Sequence, residues 1–151
     1  MVSEIIPGQN IQLKTVATDW RQAICAAGDL LVAGGYTTPD YTREMIEAVE
    51  TLGPYIVVAP GLALAHSRPA ASVVKTGLSL VTLAEPVNFG SEENDPVQII
   101  FGLCATDNHS HIQMLSQLVE FLDDPQHIAL LASATDVNTL YLAINHVKQG
   151  G

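Results

Sequence analysis

Two kinds of apolar pattern alternate along the chain. Apolar residues spaced three and four positions apart, typical of helices, occur mainly in the first and last thirds, while short runs of Val, Ile and Leu, typical of strands, occupy the middle. The predicted helices are residues 20–33, 40–51, 110–122, 125–132 and 135–147. The predicted strands are residues 11–16, 55–59, 62–65, 77–84 and 97–105. After a short first strand, the pattern therefore predicts two helices, a group of strands and three further helices.

Capping residues and glycines set the ends of the predicted helices. Thr18 or Asp19 can cap the first helix, and the Gly34-Gly35 pair ends it. Thr38 precedes the second helix, which ends at Gly53. The helical spacing predicts that the following side chains face inward: Trp20, Ile24, Ala27, Leu30, Leu31, Tyr41, Met45, Ile46, Val49, Ile112, Leu115, Leu118, Val119, Leu140, Ile144 and Val147.

The strand runs are apolar on both faces, which predicts an α/β fold with a central sheet between two helix layers, a three-layer sandwich. The connection at Pro60-Gly61 is too short for a parallel crossover, so we expect a mixed sheet. Residues 85–96 are acidic and rich in turn residues, which predicts a surface loop. The length of 151 residues fits a single domain, residues 1–151.

Composition and charge narrow the function classes. A net charge of −10 with six Lys and Arg argues against nucleic acid and anionic membrane surfaces, and favours a basic protein partner. The N-terminus lacks a secretory pattern and no apolar run reaches the roughly 20 residues needed to cross a bilayer, so we expect a cytoplasmic protein without membrane insertion. Cys25 and Cys104 have no metal-type spacing and are expected to be buried thiols.

His66 is the main candidate for chemistry. It ends a predicted strand and is followed by Ser67 and Arg68, one of the few cations of the chain. A neutral imidazole is nucleophilic near pH 7 and can accept a phosphoryl group, and a neighbouring cation can stabilise the phosphoryl oxygens. The pattern favours a nucleophilic histidine over a core residue.

His109 and His111 form a second group, in the junction between the strand 97–105 and the helix that follows it. Sites in open α/β sheets gather at such strand ends, and a helix N-terminus favours an anion. Either histidine could bond to a phosphate on His66. A metal site of these three histidines, with Asp107 as a further ligand, is a rival interpretation.

Other chemistries have less support in the sequence. Ser67 lacks the Gly-x-Ser-x-Gly context of a serine nucleophile, and there is no Gly-rich phosphate loop. His127 and His146 fit ordinary positions on or near helices at the surface or the edge of the core. The sequence does not determine the oligomeric state, a homodimer included.

The segment GPYIVVAPGLALAHSRP resembles the active-site signature of the IIA components of the bacterial sugar phosphotransferase system, of the mannitol/fructose type. TTPDYTREMIEAVE, with Tyr41 and Met45 four apart, resembles the second helix of that family, and IIFGLCATDNHSHIQMLSQLVEFL resembles its strand and helix with a second histidine, here His111. Mannitol-type members carry an arginine late in the second helix, where this chain has Ala48, and Arg68 resembles the ascorbate-type branch.

The resemblance implies the mannitol-type IIA fold and a phosphocarrier role. It implies that His66, through its ε nitrogen, accepts a phosphoryl group from the phosphocarrier protein HPr and passes it to a cysteine of a IIB component. It further implies that His111 donates a hydrogen bond to the phosphoryl oxygens, that Arg68 stabilises their charge, and that no metal or cofactor is required. Leu62, Leu64 and Ala65 could form an apolar collar for docking or belong to the core. A regulatory IIA-like role stays open beside the transport role.

Overall fold

The computed structural model describes residues 5–107, 109 and 112–145. Five strands and five helices are assigned within these ranges. In chain order they are β1 (Ile11–Thr15), α1 (Trp20–Ala33), α2 (Pro39–Leu52), β2 (Val57–Ala59), β3 (Leu62–Ala65), β4 (Gly77–Val87), β5 (Val97–Cys104), α3 (Ile112–Leu122), α4 (Pro125–Ser133) and α5 (Val137–Ile144). No helix in the described ranges has both the length and the hydropathy to span a bilayer.

The strands form one mixed sheet in the order β1-β4-β5-β3-β2. β1 runs parallel to β4, and β3 runs parallel to β5, whereas β2–β3 and β4–β5 are antiparallel pairs. The short connection between β2 and β3 turns at Gly61, whose φ of 75° lies in the region that glycine adopts without steric cost. The predicted mixed sheet is therefore confirmed, and β1 lies at one of its edges.

Both faces of the sheet are covered by helices, which confirms the predicted three-layer α/β sandwich. Successive residues of β4 show why. Leu80 packs toward α3, α4 and α5, while Val81 packs toward α1 and α2. The helical residues of the first core are Ala23, Ile24, Ala27, Leu31, Tyr41, Met45 and Val49, and those of the second are Leu118, Phe121, Leu131, Leu140 and Ile144.

Aspartate side chains cap two of the helices, and the first of them, Asp19, is one of the two candidates that the sequence offers. The Asp19 carboxylate accepts a hydrogen bond from the backbone N–H of Gln22 at the start of α1, and Asp136 accepts one from Thr139 at the start of α5. At the other end of α2, Gly53 has a φ of 87° and its N–H bonds to the carbonyl of Val49. These contacts fix the end of α2 at Leu52, three residues before Tyr55.

Three sequence predictions need correction. β4 extends to Val87, because an irregularity after Thr82 lets Val87 pair with Val97, so the first part of the expected surface loop 85–96 is strand. β2 begins only at Val57, because the N–H groups of Tyr55 and Val57 close turns onto the carbonyls of Gly53 and Pro54.

The third correction concerns α3. Ile112 and Val119 were expected to face inward but are 56% and 62% exposed. Leu118 is buried as expected and Leu115 packs against the second core, but the other buried side chain of α3 is Phe121, so the buried stripe is rotated from the expected one. Val147 and His146 lie outside the described residues.

Candidate functional site

The parallel pairing of β3 with β5 determines where the candidate residues lie. Ala65 at the end of β3 is the register partner of Gly102 near the end of β5. His66 follows the first of these strands directly, and the segment leading to His109 follows the second. Both segments therefore leave the sheet at the same edge, at the carboxyl ends of two neighbouring parallel strands.

The imidazole of His66 has a defined orientation. Its Nδ1 lies 2.7 Å from the backbone carbonyl oxygen of Leu64. A carbonyl oxygen can only accept, so Nδ1 is the protonated nitrogen in this contact and donates. Nε2 then carries the free lone pair of the neutral ring. The side chain is half-buried and lines an open groove, so this nucleophilic nitrogen belongs to a ring that reagents from outside can reach.

Two tyrosine hydroxyls hold the backbone on either side of the peptide bond between His66 and Ser67. Tyr55 donates to the carbonyl of His66 at 2.7 Å, and the hydroxyl of Tyr41 accepts from the N–H of Ser67 at 3.0 Å. Tyr41 also donates to the carbonyl of Leu103, on β5, at 2.7 Å. The end of β3 is thus tied to α2, to β5 and to the turn before β2.

Sequence reasoning did not assign these roles. Tyr41 was expected only as an inward-facing residue of α2, and it is indeed fully buried. Tyr55 was expected as the start of a buried strand, but it lies in a turn and is 38% exposed. Burial raises the pKa of Tyr55, and it raises that of Tyr41 further, so both hydroxyls stay protonated at neutral pH. A signal was present in the Tyr41 position, where a buried phenol demands a polar partner.

A groove of about 560 Å³ lies in front of His66. One wall is the C-terminal half of α2, and the other is Tyr55 and the chain after β3. The residues that line it are Glu44, Glu47, Ala48, Thr51, Leu52, Tyr55, His66, Ser67 and Arg68. Ala48 occupies the position at which mannitol-type members carry an arginine, and it lines the same groove as His66.

Arg68 is exposed at this groove. Within the described part of the chain, the carboxylates that also line the groove have other partners: Glu47 pairs with Arg43 at 3.2 Å, and Glu44 accepts from Ser72 at 2.9 Å. Among the described residues no ion pair holds the guanidinium of Arg68. It is therefore available to an anion that enters the groove.

Of the two alternatives for Leu62, Leu64 and Ala65, a docking collar or the core, the structure shows the core. Leu62 and Ala65 are buried core residues, and Leu64 is packed against the second core, so none of the three forms an open collar. The exposed apolar side chains nearby in the chain are Leu52, which is 69% exposed, and Val58, which is 56% exposed. They flank Tyr55 in sequence, and Leu52 also lines the groove.

The second histidine group is only partly within the described residues. His109 is exposed, and its backbone N–H donates to the Asp107 carboxylate at 2.8 Å. His111 lies outside the described residues. In the ranges that the structure covers, no three His, Cys, Asp or Glu side chains are grouped so as to hold a metal ion. The expected trio of His66, His109 and His111 includes the residue that is not described and stays a hypothesis.

The remaining histidine and the thiols have structural surroundings. His127 stacks on the ring of Phe121, with a centroid separation of 4.2 Å, and its Nδ1 donates to the Phe121 carbonyl at 2.7 Å. Cys104 is fully buried in β5, and burial raises the pKa of its thiol to about 11. Cys25 is only half-buried, and its pKa is raised by desolvation and by the charges of Asp29 and Asp19.

Comparison with known proteins places this geometry in a family. Residues 4–147 match the family model described as phosphoenolpyruvate-dependent sugar phosphotransferase system, EIIA 2. The ascorbate-specific EIIA component of Escherichia coli K12 is 39% identical over 136 residues, which cover 89% of this chain and 88% of that protein.

Two solved structures have the same fold. The mannitol-specific cryptic enzyme IIA CmtB of Escherichia coli superposes with a TM-score of 0.84 at 31% identity, over 94% of this chain and 96% of that one. The enzyme IIA of the Escherichia coli mannitol system, in a complex with phosphorylated enzyme IIB, superposes with a TM-score of 0.80 at 33% identity, over 95% and 98% of the two chains. The chain belongs to the EIIA 2 family of the phosphoenolpyruvate-dependent sugar phosphotransferase system, as a phosphotransfer component.

Proposed function

We propose that Nε2 of His66 is the atom that carries the phosphoryl group. The observation that supports it is the 2.7 Å contact in which Nδ1 donates to the Leu64 carbonyl, because this contact leaves the lone pair on Nε2. In the first step, Nε2 attacks the phosphorus of a phosphohistidine on HPr. The phosphorus–nitrogen bond of the donor breaks, its electron pair returns to the donor imidazole, and the Nδ1 proton of His66 stays where it is.

The second step transfers the group to a cysteine of a IIB component. The thiolate attacks the phosphorus, the bond to Nε2 breaks, and the electron pair returns to the imidazole of His66. A IIB partner is supported by the related mannitol IIA that was solved in a complex with phosphorylated IIB. The ascorbate-specific relative at 39% identity supports L-ascorbate as the sugar of this system. We place both steps in the cytoplasm, and neither step requires a metal or a cofactor.

Two cationic or hydrogen-bonding groups would stabilise the transferred group. Arg68 is exposed in the groove beside His66 and has no ion pair within the described ranges, which suits a contact with phosphoryl oxygens. His111 follows β5, whose carboxyl end lies beside that of β3, and we assign it the role of a hydrogen-bond donor to the same oxygens. Replacing either residue should slow transfer without preventing labelling of His66.

Labelling with phosphorylated HPr tests the proposal. Wild-type protein should take up one phosphoryl group that is acid-labile and base-stable, and the His66→Ala variant should take up none. His127→Gln is the matched control, since His127 stacks on Phe121 in the α3–α4 layer and should keep full labelling. Label retained in the His66→Ala variant would contradict the assignment of the nucleophile.

Addition of IIB proteins tests the second step and the sugar. Labelled wild-type protein should lose its phosphoryl group fastest to the IIB component of an ascorbate system, compared with that of a mannitol system. Uptake of label without transfer to any IIB component would favour the regulatory role over the transport role. Transfer to a mannitol IIB at the higher rate would contradict the ascorbate assignment.

A further inference from the structure

Both hydrogen-bonding groups of one peptide unit at the site are contacted by tyrosines. The unit joins His66 to Ser67; its carbonyl accepts from Tyr55 at 2.7 Å, and its N–H donates to Tyr41 at 3.0 Å. The two phenols come from different elements, α2 and the turn before β2. We call these two residues the tyrosine clamp. A peptide plane that is bonded at both ends cannot rotate without breaking one of the two contacts.

Tyr55 contacts the His66 side chain as well as its backbone. The two rings are 5.2 Å apart between centroids with an interplanar angle of 84°, which is an edge-to-face arrangement. The Nδ1 of the same imidazole bonds to the Leu64 carbonyl. The ring plane is therefore defined by two contacts, one from the backbone of its own strand and one from Tyr55.

Tyr55 is not placed as a core residue would be. Its side chain is 38% exposed and lines the groove, whereas Tyr41 is fully buried within the first core. The Tyr55 hydroxyl is directed to the backbone of the phosphorylatable residue rather than to water. An exposed phenol that makes both of these contacts to a single histidine contributes little to the core, so its placement needs another explanation.

We propose that Tyr55 is a positioning residue for phosphoryl transfer, which keeps Nε2 of His66 directed at the groove through both contacts. This inference rests on the proposed function of His66. Without Tyr55 the imidazole can rotate away from Leu64, and Nδ1 then loses its acceptor and the protonated nitrogen can become Nε2. A ring with its proton on Nε2 has no lone pair toward the donor, and misorientation of a reacting atom slows the step.

Three variants separate positioning from docking. Tyr55→Phe removes the hydroxyl and keeps the ring, and Tyr55→Leu removes both. Leu52→Ala is the matched control, because Leu52 lines the same groove, is 69% exposed and makes no ring or hydrogen-bond contact with His66. Each protein is phosphorylated by phosphorylated HPr and by phosphoramidate, a small donor that needs no protein surface. Nitrogen-15 shifts of the His66 imidazole report which nitrogen carries the proton.

Tyr55→Phe should lower the kcat of labelling by about five-fold, the effect of one lost hydrogen bond, with KM for HPr unchanged. Tyr55→Leu should lower it by about 25-fold, because the ring contact is also lost. The rate with phosphoramidate should fall in parallel, and the fraction of imidazole protonated at Nε2 should rise. Leu52→Ala should change only KM for HPr, and the proton should stay on Nδ1.

Two results would overturn the inference. In the first, phosphoramidate labels both Tyr55 variants at the wild-type rate and the proton of His66 is still on Nδ1. In the second, the Tyr55 variants differ from wild type only in KM for HPr, as Leu52→Ala is expected to do. Failure of the proposed function gives a different result, since wild-type protein would then take no label from either donor or His66→Ala would still be labelled.

Discussion

The clearest energetic prediction concerns the buried member of the tyrosine clamp. Tyr41→Phe removes one oxygen atom from a side chain that is fully buried in the first core. Its hydroxyl donates to the Leu103 carbonyl at 2.7 Å and accepts from the Ser67 N–H at 3.0 Å. The phenylalanine ring keeps the packing, so the variant isolates the contacts of the hydroxyl, which include a longer one of 3.3 Å to the Ser67 carbonyl. The substitution leaves the Ser67 N–H, just after β3, and the Leu103 carbonyl, near the end of β5, without the hydroxyl.

The expected loss follows from the number and burial of these contacts. Each hydrogen bond contributes about 1 kcal/mol net, and a buried carbonyl left without its partner adds a desolvation cost of similar size. Leu103 is only 6% exposed, so water does not readily replace the hydroxyl there, whereas Ser67 is half-buried and can be partly resolvated. The free energy of unfolding should fall by about 2.5 kcal/mol, which for a chain of 151 residues lowers Tm by about 8 °C.

Urea unfolding followed by the fluorescence of Trp20, the single tryptophan, and by far-ultraviolet circular dichroism measures this loss. The m-value should be unchanged. Tyr36→Phe is the matched control, because among the described residues the Tyr36 hydroxyl has no hydrogen bond, and its loss should stay within about 0.5 kcal/mol. A Tyr41→Phe variant as stable as Tyr36→Phe would show that the hydroxyl does not hold the end of β3.

Three further predictions follow from other contacts. Asn145→Ala should lower the free energy of unfolding by about 3 kcal/mol. The buried amide accepts hydrogen bonds from the N–H groups of Ile5 and Ile6 and donates to the carbonyls of Ile6 and Tyr141. Thermal unfolding measures this loss, and a loss under about 1 kcal/mol would contradict the prediction. Burial holds the pKa of the Cys104 thiol at about 11 in the folded state, above its ordinary value of 9.0. The unfolded chain therefore loses this proton at a lower pH than the folded chain does. As a result, the free energy of unfolding should fall as pH rises from about 9 to about 11. Urea titrations at pH 8 and pH 11 should show a smaller fall for Cys104→Ala than for wild type, and equal falls would refute the assignment. Arg68→Gln should reduce the rate of labelling of His66 by phosphorylated HPr by about ten-fold, since the groove loses its exposed guanidinium. Arg21→Gln, which breaks a surface pair with Glu50 and a contact with the Trp20 ring outside the groove, should leave the rate within two-fold. Stopped labelling reactions compare them, and equal rates for the two variants would remove Arg68 from the site.

The layer structure could be predicted because the strands alternate between two apolar faces. Neighbouring residues such as Ile99 and Ile100 enter different cores, and only a sheet covered on both sides accommodates them. The mixed character of the sheet followed from a connection of two residues at Pro60-Gly61. The order of the strands could not be predicted, since nothing local in the sequence selects β5 rather than β4 as the neighbour of β3.

The error at α3 has a physical reason. Its sequence carries two apolar stripes, one through Ile112, Leu115 and Val119 and another through Met114, Leu118 and Phe121. Helical periodicity predicts that one stripe is buried but does not say which. The stripe that contains Phe121 packs against the sheet. Ile112 and Val119 of the other stripe are exposed.

The candidate site was predicted in part. His66 was found because a histidine and a cation directly follow an apolar strand, which is a local signal. The contribution of Tyr55 could not be read in the same way. Its hydroxyl reaches a residue 11 positions later through the reversal of the chain at Gly61, and the apolar residues that follow it suggested a strand rather than a turn. Side chains that act through such reversals leave no periodic pattern.

The position of β5 at the centre of the sheet has a consequence for synthesis of the chain on the ribosome. β1 with β4, and β2 with β3, form two separate strand pairs, and β5 alone joins them. Of the strands in the described residues it is also the last to be translated, and its final residue is number 104. At about 5–20 residues per second, about one to three seconds separate the translation of the end of β4 from that of the end of β5, and during this time the two ribbons are unconnected. The ribbons can assemble only after β5 leaves the exit tunnel, so slow codons that are translated before it emerges should prolong exposure to chaperones.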